Sequence, residues 1–528
     1  VWDYFDVIGE KGSTVVTDKE KIPGAKWFPE AKLNFAENLL RHKDDHIALI
    51  FRGENGVRQQ LTYAELNHEV AAFAAGLRQR GVEAGDRVAA MMPNCIETII
   101  GMLATTSIGA IWSSCSPDFG VQGVLDRFGQ IEPKVLITVD GYFYNGKNLN
   151  IKSKTADIIK EIKSIEATVV VNFSQQKDRL KGENVFAWND FGDAEQTQID
   201  FVPRNFNDPL YIMFSSGTTG VPKCIVHGTG GTLLQHVKEH GLHTDLDRDD
   251  NLFYFTTCGW MMWNWLVSGL AVGATLTLFD GSPFAPEPEF LWDVADEEGI
   301  TVFGTSAKYL AALEKADVKP RESHNLEKLR SILTTGSVLP PESFDYVYRD
   351  IKKDLCLSSI SGGTDIVSCF ALGCPILPVY RGELQCRGLG LAVNVYDDNG
   401  KPVRGEKGEL VCENSFPCMP VSFWGDDDGE RYYNAYFTRF ENTWAHGDFA
   451  ELTQHDGVII YGRSDAVLNP GGVRIGTAEI YRQVEKVDEV LESIAIGQQY
   501  QDDERVVLFV KLREGIELND ELRQTIAK

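Results

Sequence analysis

Ten cysteines occur in the chain without one Cys-x-x-Cys pair. That absence removes the common zinc and dithiol spacings, and a chain this large needs no disulfide staples. Reduced, mostly buried thiols in a cytosolic protein are the expectation. Cations are scarce as well: 51 Lys and Arg face 77 Asp and Glu, for a formal net charge of −26. This balance argues against the basic surfaces that nucleic acids and anionic membranes need, though local donors could still hold a small anion. Long hydrophobic runs are missing too. The most apolar stretch, 265–279, is broken by Ser268, Gly269, Gly273, Thr275 and Thr277. It falls short of the roughly 20 residues a membrane-spanning helix needs and reads as a buried helix followed by a strand. No signal peptide, internal repeat or low-complexity tract is visible. The first residue is Val1 rather than Met, which suggests a trimmed piece of a longer protein.

At 528 residues the chain exceeds one compact core, and two to four domains are expected. From Leu61 onward, helical and strand periods alternate. Leu66, Val70, Phe73, Ala74 and Leu77 share a helical face that Gly81 closes, and 88–92 follows as a short apolar run. A helix over 96–108, a strand at 110–112, a helix over 121–131 and a strand at 134–139 continue the series. This alternation specifies α/β architecture, a parallel sheet with helical crossovers. After about Val379 the pattern becomes β-rich and includes the Asn399-Gly400 of a tight hairpin. Past Gly462 the order reads hairpin, helix, strand, strand, with Ile480, Val484, Val487 and Leu491 as one helical stripe. A large α/β domain over 1–463, β-rich from about 380, and a small α+β domain over 464–528 are therefore expected. The small domain stops unfinished, in a helical pattern, at Lys528.

The stretch at 213–224, "MFSSGTTGVPKC", stands apart. It follows the apolar Leu210, Tyr211 and Ile212 and crowds together Ser, Thr and Gly pairs, one Pro and Lys223. A flexible linker is one reading of that composition. A phosphate cradle is the other, since glycine lets backbone N–H groups approach an anion, hydroxyls add donors and lysine adds charge. The spacing is not that of a Walker A loop: Gly217 and Gly220 lie too close together, and Cys224 rather than Ser or Thr follows Lys223. Composition and spacing leave both readings open.

Residues 216–223, Ser-Gly-Thr-Thr-Gly-Val-Pro-Lys, reproduce the pattern Ser-Gly-Thr-Thr-Gly-x-Pro-Lys. In this the chain resembles the adenylate-forming enzymes, a family of acyl-CoA synthetases, peptide-synthetase adenylation domains and luciferases. Further motifs follow in that family's order, so the resemblance covers nearly the whole chain. It implies that Ser216, Gly217, Thr218, Thr219, Gly220 and Lys223 hold the β- and γ-phosphates of ATP. Gly336, Ser337 and Val338 stand where the family lines the adenine. Thr364 would contact the α-phosphate. Asp365 replaces the family's usual Glu as ligand of Mg2+, a hard oxygen donor one methylene shorter. Asp448 would accept from both ribose hydroxyls, Arg463 would contact ribose or phosphate, and Asp465 would be the hinge of the small domain. Gly472 would lie beside the pantetheine arm of coenzyme A, and Arg474 would face phosphates. His446 is given no catalytic role.

The reaction so implied has two halves. A carboxylate attacks the α-phosphorus of ATP to give acyl-AMP and pyrophosphate, and the thiol of coenzyme A then expels AMP. No side-chain nucleophile is needed, because catalysis rests on positioning and on charge neutralisation by Mg2+, lysine and arginine. The family's C-terminal adenylation lysine has no counterpart before Lys528, so a chain that continues is expected. Acetate-activating relatives carry Trp where Gly362 aligns, and Gly362 is expected to open the acyl cavity to a longer acid. Ser361 belongs to the same segment, and Trp260, Met261, Met262 and Trp263 are expected to form another wall. A short 3-keto acid is the expected substrate. The alternatives are a propionate or butyrate synthetase and a non-catalytic nucleotide-binding relative. The expected partners are small molecules, with neither nucleic acid nor membrane among them.

Overall fold

The computed structural model describes residues 1–215, 221–465, 467–473, 475–484, 486–500, 503–513 and 515–527. In it the alternating pattern resolves into two large sheets. The first orders its strands Val185–Ala187, Ala167–Val171, Val135–Val139, Arg87–Met91, Ile111–Cys115, Pro209–Ser215, Lys223–Gly228 and Ser422–Phe423. The first six run parallel, and Lys223–Gly228 turns back antiparallel against Pro209–Ser215. The second runs Cys356–Ser359, Ser331–Thr335, Val302–Ser306, Asn251–Tyr254, Thr275–Asp280, Ile47–Gly53 and Arg58–Thr62, parallel but for the last pair. Val135–Val139 is buried at every position. Its unbroken apolar run is what a parallel strand covered on both faces requires. The molecule is an α/β protein.

Local chemistry sets the crossover helices. Tyr63–Gln79 starts at a capping box: Thr62 Oγ1 accepts from Glu65 N at 3.1 Å, and Glu65 Oε2 accepts from Thr62 N at 2.7 Å. Leu66, Val70, Phe73, Ala74 and Leu77 are buried, and Gly81 takes the left-handed backbone that ends the helix, with φ +70°. The 265–279 stretch completes the helix Met261–Val267, passes a short 3₁₀ turn and enters the strand Thr275–Asp280. No helix among the described residues is long and apolar enough to cross a membrane.

Beyond the two sheets lie the short antiparallel strands Ser361–Gly363, Ser368–Leu372 and Cys386–Arg387. A four-stranded antiparallel sheet follows: Val393–Tyr396, Gly408–Cys412, Trp444–Leu452 and Val458–Arg463. The Asn399-Gly400 turn forms as expected, with Gly400 at φ +73° and Asp397 N donating to Lys401 O. The last part contains the paired strands Val467–Leu468 and Ile475–Gly476, the helix Thr477–Val484 and the ribbon of Val490–Tyr500 with Asp503–Leu512. Here one expectation fails. The helix ends at Val484, and Leu491 lies in a strand. Pairing of Val490 with Leu512 starts a long ladder, and that ladder overrides the helical spacing of Val487 and Leu491.

Candidate active site

A cavity opens at the carboxyl ends of both parallel sheets, the edge where α/β folds bind ligands. Ser114, Cys115, Phe214 and Ser215 reach it from the first sheet, and Thr335 and Ser359 from the second. Ser361, Gly362, Gly363 and Thr364 form one side, Gly336, Ser337 and Val338 another, and Asp448, Arg463 and Gly472 close it. Trp260, Met261 and Met262 add an apolar wall at the start of their helix. Most residues singled out in the sequence therefore meet in one place. Ser216, Gly217, Thr218, Thr219, Gly220 and Arg474 lie outside the described residues.

Two expectations about the acyl wall change. Trp263 does not line the cavity, because it is fully buried and its Nε1 donates to Asn94 Oδ1 at 3.0 Å. Gly362 does line it, but not by vacating side-chain space. A Cβ on Gly362 would sit 2.0 Å from Ser368 O and 2.5 Å from Cys369 Cα. The glycine is required by the backbone of the neighbouring strand, at a bulge between Ser361 and Gly362.

Lys223 and Asp365 stand just behind the cavity lining and meet each other. Lys223 Nζ lies 2.9 Å from Asp365 Oδ1, and the Asp365 side chain is only 3% exposed. A third partner left no trace in the sequence: Tyr436 OH donates to the same Oδ1 at 2.6 Å. Tyr436 ends the helix Glu430–Tyr436, and its ring stacks on Trp444 with centroids 3.8 Å apart. The stack fixes the phenol, and the phenol with Lys223 fixes the carboxylate. Tyr436→Phe should keep the stack and lose a hydrogen bond to a charged acceptor, lowering stability by about 2 kcal/mol. Urea denaturation checks this, and an unchanged midpoint would show that the bond contributes nothing.

The segment carrying Thr364 and Asp365 is held from behind by a row of buried polar groups. His227 Nε2 donates to Thr364 O at 2.8 Å, and His236 Nε2 donates to Val367 O at 2.6 Å. Val367 adopts φ +49°, a left-handed conformation that costs a β-branched residue dearly. Wholly buried Glu239 accepts from Ser368 Oγ at 2.6 Å, Gln235 Nε2 at 2.9 Å and Trp265 Nε1 at 2.9 Å. Burial keeps these histidines neutral. It pulls His227 down from 6.5 to about 4 and His240 to about 3, and lowers His236 as well. The unfolded chain therefore binds protons that the folded one refuses, so stability is complete above about 6.5 and is lost as the pH falls toward 4. From pH 7 to 5.5, His227 alone should account for about 1 kcal/mol. Urea midpoints at the two pH values test this, and a His227→Gln variant with the parent's pH slope would refute it.

Asp448 and Arg463 face each other across the strands Trp444–Leu452 and Val458–Arg463. Arg463 Nη1 donates to Asp448 Oδ1 at 2.8 Å, while Nε donates to Asp465 Oδ1 at 3.1 Å and Nη2 to Asp465 Oδ2. Burial opposes the guanidinium charge, but Asp448 and Asp465 more than offset it and raise its pKa. Gly447 must be glycine here: it sits at φ +82°, and a Cβ would approach Arg463 Nη2 to 2.7 Å. Buried Glu409, also missed in the sequence, accepts from Gly447 N at 2.8 Å and sets the turn ahead of Asp448. His446 is buried, with Nε2 at 3.5 Å from Asp448 Oδ2.

The turn at 470–472 presses on the segment at 336. Gly472 sits at φ +80°, and a Cβ there would lie 2.7 Å from the Gly336 carbonyl carbon. Asn469 Nδ2 donates to Gly336 O at 3.2 Å, and Asp503 accepts from Gly471 N and pairs with Lys308 at 2.8 Å. Two backbones thus touch at the cavity mouth with no side chain between them.

Comparison with known proteins agrees with this geometry. The profile of the family described as AMP-binding enzyme matches residues 35–417, more than half of the chain. An acetoacetyl-coenzyme A synthetase of Rhizobium meliloti (strain 1021) is 58% identical over 100% of this chain and 81% of its own length. An acetoacetyl-CoA synthetase of Gallus gallus is 46% identical over 99% of this chain and 81% of its own. The structure of an acetoacetyl-CoA synthetase from Streptomyces lividans superposes with a TM-score of 0.85 at 42% identity, covering 99% of this chain and 81% of that one. With its nucleotide-site motifs gathered at the carboxyl edge of two parallel sheets, the chain is an enzyme of the AMP-binding family, on the branch that carries the acetoacetyl-CoA synthetases.

Proposed function

We propose that the protein joins acetoacetate to coenzyme A, with ATP cleaved to AMP and pyrophosphate through an acyl-AMP intermediate. The observation that carries this reading is the convergence of Thr364, Asp448 and Arg463 on a cavity walled by Trp260 and Met262. The polar lining of Thr364, Asp448 and Arg463 suits a nucleotide, and the apolar Trp260 and Met262 suit a short acyl chain. The names of the relatives supply the acid. In this reading Gly336, Ser337 and Val338 lie along the adenine, Asp448 accepts from the ribose hydroxyls, and Arg463 orients Asp448 and contacts ribose or phosphate. Lys223, with the loop at 216–220, draws negative charge toward the departing pyrophosphate, and Arg474 adds charge from the small domain. Ser361 and Gly362 border the acyl group opposite Trp260.

Mg2+ belongs to the proposal as well. Among the described residues no group of three His, Cys, Asp or Glu is arranged to hold a metal. We assign the ion to Asp365, in the mode in which one carboxylate and substrate phosphates share it; that carboxylate's Oδ1 also faces Lys223 Nζ and accepts from Tyr436 OH. Bound there, the ion would neutralise phosphate charge. We read 464–528 as a small domain that turns at Asp465 and carries Gly472 to the pantetheine arm. Ten free thiols suit a reducing, cytoplasmic setting.

ATP–pyrophosphate exchange tests the reading. Acetoacetate should support faster exchange than acetate, propionate or butyrate at equal concentration. Faster exchange with acetate would remove the assigned acid, and absence of exchange with every acid tried would favour a non-catalytic nucleotide binder.

A further inference from the structure

Lys308 breaks a local rule. It stands second in the helix Ala307–Lys315, whose first turn holds no acidic residue and whose free N–H groups repel a cation. The helix is otherwise well begun, since Ser306 Oγ accepts from Tyr309 N at 3.2 Å. Ser306 also ends the strand Val302–Ser306 and pairs with Thr335, so the helix starts at the carboxyl edge that carries the cavity. The partner of Lys308 is distant in sequence. Its Nζ lies 2.8 Å from Asp503 Oδ2, on the ribbon of Val490–Tyr500 with Asp503–Leu512.

Asp503 is engaged at both oxygens. Oδ1 accepts from Gly471 N at 3.1 Å, so one carboxylate joins the ribbon, the turn at 470–472 and the helix start. Burial alone would raise its pKa, yet Lys308 and the N–H groups of Glu504 and Gly471 hold it below the ordinary carboxylate range. The ammonium covers the turn as well: a Cβ on Gly471, at φ +65°, would run into Lys308 Nζ. Among the described residues past Asp465, Asp503 is the one carboxylate paired with a cation from residues 1–463. Exposed ion pairs usually contribute little to stability. This one differs in what it joins, because the Asp503 side chain is only 23% exposed and the pair bridges the two parts of the chain at the cavity mouth.

We propose that Lys308 is a positioning residue: its pair with Asp503 latches residues 464–528 in the orientation that presses Gly472 on Gly336, and so favours thioester formation. The proposal rests on the reading of 464–528 as a domain that turns at Asp465. Any turn that withdraws Gly472 from the cavity must part Lys308 from Asp503, which is tied to the same turn through Gly471 N. A contact made in one orientation alone shifts the balance by its own strength and no more. For a half-exposed pair that shift is about three- to fivefold.

Two measurements on the full chain test this. Hydrogen exchange followed by mass spectrometry reads the contact itself. In Lys308→Met, peptides covering 336–339 and 469–473 should both exchange about three- to fivefold faster, while the strand at 302–306 is unchanged. Faster exchange at 469–473 alone would reduce the pair to a local brace of the turn and overturn the proposal, as would no change at either segment. The second measurement separates the half-reactions. Thioester formation from supplied acetoacetyl-AMP at saturating coenzyme A should fall about three- to fivefold in Lys308→Met. Lys308→Arg should restore it, and ATP–pyrophosphate exchange should be no slower than the parent's. A raised KM for coenzyme A at an unchanged maximal rate would make Lys308 a coenzyme ligand instead. A parent that forms no thioester would defeat the assigned reaction, and hydrogen exchange would still decide the latch.

Discussion

Lys223→Ala should slow acyl-adenylate formation by about 10²–10³-fold, the usual cost of removing one donor aimed at developing charge. The position is rigidly set, because Lys223 opens the strand Lys223–Gly228 and pairs with Ser215 at the cavity edge. Its side chain is a quarter exposed, and its Nζ lies 2.9 Å from Asp365 Oδ1, close enough to steady that carboxylate. The substitution removes that support together with the positive charge. Thioester formation from supplied acyl-AMP has no pyrophosphate to release and should persist. ATP–pyrophosphate exchange and a single-turnover thioester assay separate the two halves. An equal fall in both would make the loop a structural element.

Arg463→Met should be the most destabilising of the substitutions considered, at about 3–5 kcal/mol. Methionine matches the stem of arginine but leaves two carboxylates facing each other where Asp448 is 9% and Asp465 35% exposed. Taking away the charge that holds them exposes their desolvation and their mutual repulsion. Activity should fall with stability, since Asp448 lines the cavity. Chemical denaturation of Arg463→Met, Asp448→Asn and the double variant measures the coupling. The double variant should recover part of the loss, and strict additivity would mean that the pair is not coupled.

What the sequence made legible was mostly local. The helical face of Leu66, Val70, Phe73, Ala74 and Leu77, the apolar strand read at 134–139 and the turn at Asn399-Gly400 each declare themselves within a few residues, and the helix, the strand Val135–Val139 and the turn all form. The loop at 213–224 was readable because its composition breaks the apolar run before it. Cys224, odd within that loop, turns out to be a buried strand residue opposite Phe214. Tyr436 was not readable. It meets Asp365 across 71 residues, and no periodicity records a contact made between two elements far apart in the chain. Glu409 reaches Gly447 in the same way. Leu491 and Gly362 show the converse, in which a local pattern is true but tertiary contacts decide its meaning.

Val367 has a consequence of its own. A left-handed β-branched residue holds about 1–3 kcal/mol of tension, and here it sits two residues from Asp365. His236 and His227 pull on the carbonyls at either end of 364–367, so the segment is pre-stressed like a string fixed at both ends. Relaxing that residue would make the fold more secure and shift the backbone that carries the carboxylate, leaving Tyr436 and Lys223 to hold it alone. Stability and aim are set against each other at one backbone angle, and the protein keeps the aim.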